Sequence, residues 1–190
     1  MTIQELFIRS NEELKKVVNQ ITERQWDLDV PAGMTRNPAK LRQTINYHAY
    51  DDAWVPDVLA GKTKEQVGEV FEPLLSSTDT LANYNKYNTV AIDAVRDFKN
   101  LEMTTHLSYG DFPARDYLQH IISFRGFRCY DIAKMIGIDT KMADDLVQAL
   151  WDEFSPVAET YQRMGVFPKS IEVSDSADLQ TKLLALVGRQ

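Results

Sequence analysis

Apolar residues recur at helical spacing along most of the chain. Near the N-terminus, Phe7, Leu14, Val17, Val18 and Ile21 are related by steps of three, four or seven residues, which place side chains on one face of a helix. Thr2 and Glu5 precede them in the order of a capping box. The same pattern elsewhere predicts helices over residues 2–24, 38–61, 78–101, 113–136, 141–153 and 177–187.

The fourth of these helices is expected to be the most buried element. It begins at Pro113, which suits the first turn of a helix, and it stops at Gly137, which suits a helix end. Between them, apolar residues occur on most sides of the helix, a pattern typical of a helix surrounded by other elements.

The connections show turn residues and irregular patterns. Residues 26–36 contain Pro31 and Gly33 and predict a loop, and Pro56 is expected to kink or end the regular part of the second helix. A turn of helix is expected from Thr63. Further connections are predicted as follows: a partly extended connector over 104–111, a short helix capped by Ser155 and Pro156, and an extended stretch over 166–173.

Four long helices joined by short connections predict an all-α fold with an antiparallel four-helix bundle over residues 1–138. Residues 139–190 are predicted to form a small mixed C-terminal extension. Because no Gly/Ser-rich linker separates the two parts, we expect the extension to pack on the bundle.

Composition and charge narrow the function classes. Hydrophobic residues make up 44% and charged residues 26% of the chain, an ordinary balance for a globular protein. The 21 Lys and Arg against 28 Asp and Glu give a net charge of −7, which argues against nucleic acid or an anionic membrane as a partner. No stretch resembles a signal peptide or a membrane span, so a cytoplasmic location is expected.

Few residues offer catalytic chemistry. The sequence contains no P-loop, dinucleotide fingerprint, nucleophile elbow or zinc-protease motif. The single cysteine, Cys129, excludes an internal disulfide and is expected to be a small core residue. The three tryptophans are expected to pack rather than to form a ligand cage.

Three blocks of sequence nevertheless suggest a family. They are Tyr47–Trp54, with a histidine at its second position, Arg128–Gly137, and the tail segments Met164–Pro168 and Leu183–Arg189. In order and spacing, the chain resembles the DinB-like superfamily over nearly its whole length. More narrowly, it is similar to the actinobacterial branch related to the metal-binding domain of mycothiol-dependent maleylpyruvate isomerase.

This resemblance implies a DinB-like four-helix bundle and a divalent metal site. In that family, one histidine of the second helix and a Glu/His-x-x-x-His pair on the fourth bind the metal. Relatives with such a site use it, often with a low-molecular-weight thiol, for isomerase or transferase chemistry, because a metal makes a bound thiol nucleophilic at neutral pH.

The chain departs from the family at two of the three ligand positions. His48 matches the histidine of the second helix, but the other two positions fall on Phe124 and Arg128. A phenyl ring has no heteroatom and a guanidinium has no lone pair at neutral pH, so neither can ligate a metal. We therefore expect no metal cofactor. Zinc or nickel would bind only if an atypical site formed, for example from His48, Asp52 and His120.

Arg128 suggests that a protein charge has replaced the metal charge. A buried guanidinium requires a partner, and the sequence offers Asp131 along the same helix or Asp51 and Asp52 across the bundle. The prediction is that Arg128 ties the second helix to the fourth, the alternative being a surface arginine with a packed stem. Arg125, with Arg128, is a candidate for binding a carboxylate.

Three functions remain open at this point. The first is a small-molecule binding protein with a degenerate metal site, which takes a small, anionic ligand in a pocket. That pocket is predicted to involve His48, Asp51, Asp52, Phe124, Arg125, Arg128 and Asp131. The second is an active thiol-dependent isomerase or transferase with an atypical site. The third is a structural protein that acts through a homodimer interface, and a homodimer is expected in any case.

Overall fold

A computed structural model describes residues 1–31, 34, 35, 37 and 39–190, and these residues are mostly helical with a small antiparallel sheet. The chain divides into two compact units, residues 2–139 and residues 140–190.

The first unit contains five α-helices among its described residues: α1 (Ile3–Val18), α2 (Leu41–Leu59), α3 (Lys64–Val67), α4 (Thr80–Arg96) and α5 (Ala114–Ile136). Short 3₁₀ helices cover Glu23–Asp27 and Glu72–Ser76. Strands β1 (Thr104–Leu107) and β2 (Gly110–Pro113) form a hairpin in which Thr104 pairs with Pro113 and Leu107 with Gly110. Nowhere in the described parts of the chain does a helix combine the length and the apolar character that a bilayer crossing needs.

Helices α1 and α2 are shorter than their patterns predict because local hydrogen bonds redirect the backbone. The capping box of Thr2 and Glu5 is present at the start of α1. The helix ends at Val18, and a 3₁₀ helix follows, at whose start the side chain of Gln25 accepts a hydrogen bond from the backbone N–H of Thr22. The start of α2 lies at Leu41 rather than near residue 38, since the preceding backbone pairs with residues 28–30. Pro38 and Gly33, which the sequence places in the helix start and the loop, lie outside the described residues.

The later boundaries follow the sequence more closely. The prediction for α5 is confirmed, with Pro113 as its N-cap and Gly137 in the left-handed conformation at its C-cap. In α2, Pro56 lies in the last turn, three residues before the helix ends. By contrast, α4 ends at Arg96 instead of near 101, because the backbone around Leu101 turns to accept a bond from the start of α5.

The core of the first unit lies between its four long helices. Helix α2 packs against α4, and α1 packs against both α4 and α5. The predicted apolar residues of α1 are buried, as are most residues of α5. Cys129 is buried as expected, and burial raises the pKa of its thiol to about 12, so the thiol stays protonated at neutral pH.

The second unit contains α6 (Asp144–Phe154), α7 (Ala158–Arg163) and α8 (Leu179–Leu186). The short helix α7 begins at Ala158, since residues 155–157 form a turn rather than its cap. The extended stretch predicted over 166–173 forms no strand, and the backbone of Ile171 instead donates to Ala185. The sheet of the described chain therefore belongs to the first unit.

Gly137, the C-cap of α5, allows a test of how that helix ends. Its φ is +75°, and nothing lies within 4 Å of the position that an added Cβ would take. We expect Gly137→Ala to lower the free energy of unfolding by about 1 kcal/mol through backbone strain alone. Asparagine tolerates this conformation better, so Gly137→Asn should lose less in the same urea titration. Equal stability of all three proteins would contradict this assignment.

Candidate functional site

The candidate site is a groove between α2 and α5. On α2, residues 43, 44, 47, 48, 50, 51, 54 and 58 line the groove, and on α5, residues 117, 120, 121, 124 and 128 line it. Both sets have the spacing of a single helix face. Two pockets lie along the groove, and they share Tyr47, Asp51 and Phe124 as a common wall.

The first pocket, named the polar pocket here after His48 and Arg128 although most of its lining is apolar, has a volume of about 580 Å³, enough for a small organic molecule. It is lined by Met34, Thr35, Asn37, Ala39, Gln43, Thr44, Tyr47, His48, Asp51, Phe124 and Arg128.

His48 lies on the wall of the polar pocket and is only 3% exposed. Neither of its ring nitrogens has a hydrogen-bond partner among the described residues. A neutral imidazole has one donor and one acceptor nitrogen, and burial without partners costs free energy. His48 therefore has an unpartnered donor and an unpartnered acceptor beside the pocket, and because both nitrogens are buried, the ring must turn before a molecule in the pocket can reach them.

Arg128 brings a positive charge to the same pocket. It is 8% exposed, its Nη2 donates to the carbonyl oxygen of Met34 at 2.8 Å, and its Nη1 lies 3.6 Å from Oδ2 of Asp131. The alternative of a surface arginine is wrong. Asp131 is the sequence-predicted partner that the structure places beside this guanidinium, and it does not line either pocket.

The link between α2 and α5 that the sequence predicts for Arg128 is made by Arg125. This side chain is fully buried, and its Nη2 donates to Oδ1 of Asp52 at 3.0 Å and to the carbonyl oxygen of His48 at 2.9 Å. Oδ2 of Asp51 lies 3.7 Å from the same nitrogen. Arg125 and Asp52 therefore form a buried ion pair behind the groove and are not lining residues of the polar pocket.

This cluster holds two carboxyl groups against one guanidinium. Burial raises the pKa of Asp51 to about 8, and burial followed by the nearby Asp51 raises the pKa of Asp52. Burial also lowers the pKa of Arg125 to about 9. Because Asp52 lies closer to the guanidinium, we assign the ionised state to Asp52 and the extra proton near neutral pH to Asp51.

The second pocket, named the aromatic pocket, has a volume of about 420 Å³. Its rings are Tyr47, Tyr50, Trp54, Tyr109, Tyr117 and Phe124. Its other lining residues are Asp51, Val58, Lys64, His106, Leu107, Ser108, Ile121 and His120. The hairpin turn between β1 and β2 thus supplies one side of the pocket.

Two histidines belong to the aromatic pocket rather than to the polar one. Nδ1 of His106 lies 2.9 Å from Oδ1 of Asp111, and Nδ1 of His120 lies 3.3 Å from the hydroxyl of Tyr109. Burial lowers the pKa of His120, so its ring is neutral at pH 7.

The residues at the positions that the DinB-like resemblance assigns to metal ligands do not fit a metal. His48 lies near Phe124 and Arg128 on one pocket wall, and two of these three cannot ligate. The atypical set is also separated, since His120 lines the aromatic pocket and Asp52 pairs with Arg125. Within the described part of the chain, no three His, Cys, Asp or Glu side chains are grouped as metal ligands.

Sequence reasoning missed the aromatic pocket as a site. A signal was present in α2, where Tyr47, Tyr50 and Trp54 recur every three or four residues beside Asp51. Tyr109 and Tyr117 come from elsewhere in the chain, and no spacing rule connects them to α2.

Comparisons with known protein families, with curated proteins and with solved structures find no match to this chain.

Proposed function

We propose that this protein is a DinB-type four-helix bundle that binds a small organic anion, such as a carboxylate, in the polar pocket. The long helices α1, α2, α4 and α5 support the bundle part of this proposal, since they form the core of the first unit. The pocket part is supported by the position of the cationic Arg128, which replaces a metal ligand of the family.

The observation that carries the proposal is the state of His48. A side chain that is 3% exposed, with both ring nitrogens lacking partners among the described residues, lines a pocket of ligand size. Buried polar groups in native proteins have partners as a rule, and exceptions point to a bound water, ion or ligand. An oxygen acceptor on the ligand would satisfy the imidazole N–H once the ring turns toward the pocket, since both ring nitrogens are buried.

The charges around the pocket favour an anion over a cation. Arg128 contributes a guanidinium, which suits a carboxylate because both groups are planar. Asp51 lines the same pocket, but its raised pKa means that below pH of about 8 it is mainly neutral and does not repel an anion. We expect a ligand carboxylate between His48 and Arg128 and its apolar part against Phe124.

Histidine NMR provides the test because the chain contains only three histidines. Benzoate is the probe, and benzyl alcohol is the matched neutral control. At about pH 6.5 we expect benzoate to shift the ring signals of His48 and to leave those of His106 unchanged, since the latter lies in the other pocket. Benzyl alcohol should produce a much smaller shift.

Two variant pairs assign the effect to the pocket. Arg128→Gln should weaken benzoate binding by about tenfold or more, since it removes a charged hydrogen-bond donor. Arg96→Gln, at an exposed position on α4, is its control and should bind as the parent does. His48→Gln should likewise weaken benzoate binding, whereas its control His106→Gln should bind benzoate as the parent does. If benzoate shifts no histidine signal, or shifts His106 alone, the proposal is wrong.

A further inference from the structure

The aromatic pocket has a composition that the proposed anion site does not explain. Three of its rings follow one another along α2, with centroid distances of 6.0 Å between Tyr47 and Tyr50 and 6.1 Å between Tyr50 and Trp54. Tyr117 and Phe124 of α5 and Tyr109 of the hairpin supply the other rings. A pocket with this many rings offers aromatic surface, and an organic cation is attracted to the face of such a ring.

One carboxyl group lies among these rings. The side chain of Asp51 is 22% exposed and lines the pocket, whereas Asp52 is fully buried in its pair with Arg125. The single guanidinium neutralises one carboxylate, so ionisation of both leaves one negative charge without a matching cation in the cluster. Asp51 is the member of the cluster that a ligand can reach.

The cationic groups of the pocket do not cancel this charge. Lys64 is exposed, so water screens its ammonium group. His106 is paired with Asp111, and His120 is neutral at pH 7 because burial lowers its pKa. The charged group that a ligand in this pocket meets is therefore one carboxyl group, which is surrounded by aromatic rings.

We propose that the aromatic pocket binds a small organic cation with a methylated ammonium group, held by the rings of Tyr50 and Trp54 and by the carboxylate of Asp51. The wall of Tyr47, Asp51 and Phe124 separates this site from the polar pocket. This inference therefore does not depend on the proposed anion site. The two sites share Asp51, whose charge state each ligand alters.

A methylated ammonium suits this pocket better than a primary ammonium. A primary ammonium has three N–H donors that need acceptors, and Asp51 is the carboxylate that lines the pocket. Methyl groups make no such demand and gain from contact with ring faces.

The cation is expected to compete with the proton of Asp51. The titratable groups around that carboxyl are Asp52, Tyr47 and Tyr50 on α2 and Arg125 and Tyr117 on α5. The pKa values of the tyrosines are raised, Asp52 is held by Arg125, and the guanidinium keeps its proton up to about pH 9. Affinity for the cation should therefore rise between about pH 6 and about pH 8, as Asp51 loses its proton.

The test uses the full chain and choline as the probe, with titration calorimetry at about pH 8. Dimethylbutanol, in which a carbon replaces the ammonium nitrogen, has nearly the same shape without the charge. We expect choline to bind at least about tenfold more tightly than this neutral isostere, since the carboxylate and the rings favour the charge. This comparison needs no variant, so it is independent of any effect of substitution on folding.

Substitutions then identify the residues involved. Asp51→Asn should weaken choline binding by about tenfold or more, and Trp54→Leu should weaken it as well. Asp57→Asn is the control, because Asp57 lies on the same helix but pairs with Lys62 and does not line the pocket. Unchanged choline affinity in Asp51→Asn, equal affinity for choline and dimethylbutanol, or no choline binding would each overturn the inference. Benzoate binding is a separate readout, so either proposal can fail alone.

Discussion

Replacement of Arg125 by methionine is expected to lower the free energy of unfolding by about 3–5 kcal/mol. The guanidinium is fully buried and is the cationic partner of Asp52, whose side chain is also fully buried. Its removal leaves a carboxyl group in the core that must stay charged without a partner or take up a proton. It also removes the hydrogen bond to the carbonyl oxygen of His48, at the back of the polar pocket. Urea unfolding at about pH 7 measures the loss.

A second substitution separates the cost of an unpaired charge from the cost of lost packing. If the unpaired carboxyl dominates, the double variant Arg125→Met/Asp52→Leu should recover much of the stability, because apolar residues of similar volume can replace a buried ion pair. Arg96→Met is the control: it removes an arginine whose ion pair with Asp93 is more than half exposed. It should change stability by about 0.5 kcal/mol or less. A loss below about 1 kcal/mol for Arg125→Met would show that the pair does not hold α2 to α5.

Asp51 is expected to make the protein less stable as the pH rises from about 5 to about 8. Its pKa in the folded protein is about 8, against an ordinary value of 3.8, so the folded state holds a proton that the unfolded chain releases. Stability from this group is therefore complete below the unfolded pKa and is lost as the pH approaches the folded pKa. Each pKa unit of difference corresponds to about 1.4 kcal/mol, so the total effect is several kcal/mol.

The variant Asp51→Asn isolates this contribution, because asparagine has no proton to lose. In urea titrations across this pH range, its stability should vary less than that of the parent, and at about pH 8 it should be the more stable protein. Asp57→Asn should retain the parent's pH dependence. A parallel decline in the parent and in Asp51→Asn would assign the pH dependence to other groups.

The helices could be predicted from the sequence because their signals are local. Apolar spacing, the capping box at Thr2 and the glycine at 137 act within a few residues, and the helices α1, α2, α4 and α5 follow from them. The positions of the helix ends are predicted less accurately. They depend on bonds such as those of residues 39 and 41 to residues 28–30, which join segments that the spacing pattern treats separately.

The exchange of roles between Arg125 and Arg128 shows where sequence reasoning stops. The two residues are three positions apart on α5, so both lie toward the same side of the helix. Which one reaches Asp52 depends on the rotation of α5 relative to α2. Apolar spacing does not fix this rotation, because α5 is buried on most of its sides. The aromatic pocket could not be predicted from the sequence for a similar reason, since the turn of the β1–β2 hairpin is what brings Tyr109 to it.

The central claim, that the polar pocket is an anion site, can be tested most directly by crystallography with bromobenzoate. The bromine atom scatters anomalously, so its position can be located without prior assumptions about the site. We predict a bromine peak in the polar pocket near Phe124, with the carboxylate within hydrogen-bond distance of a ring nitrogen of His48 and of the guanidinium of Arg128. A peak in the aromatic pocket alone, or no peak in crystals whose His48 ring density is clear, would contradict the account.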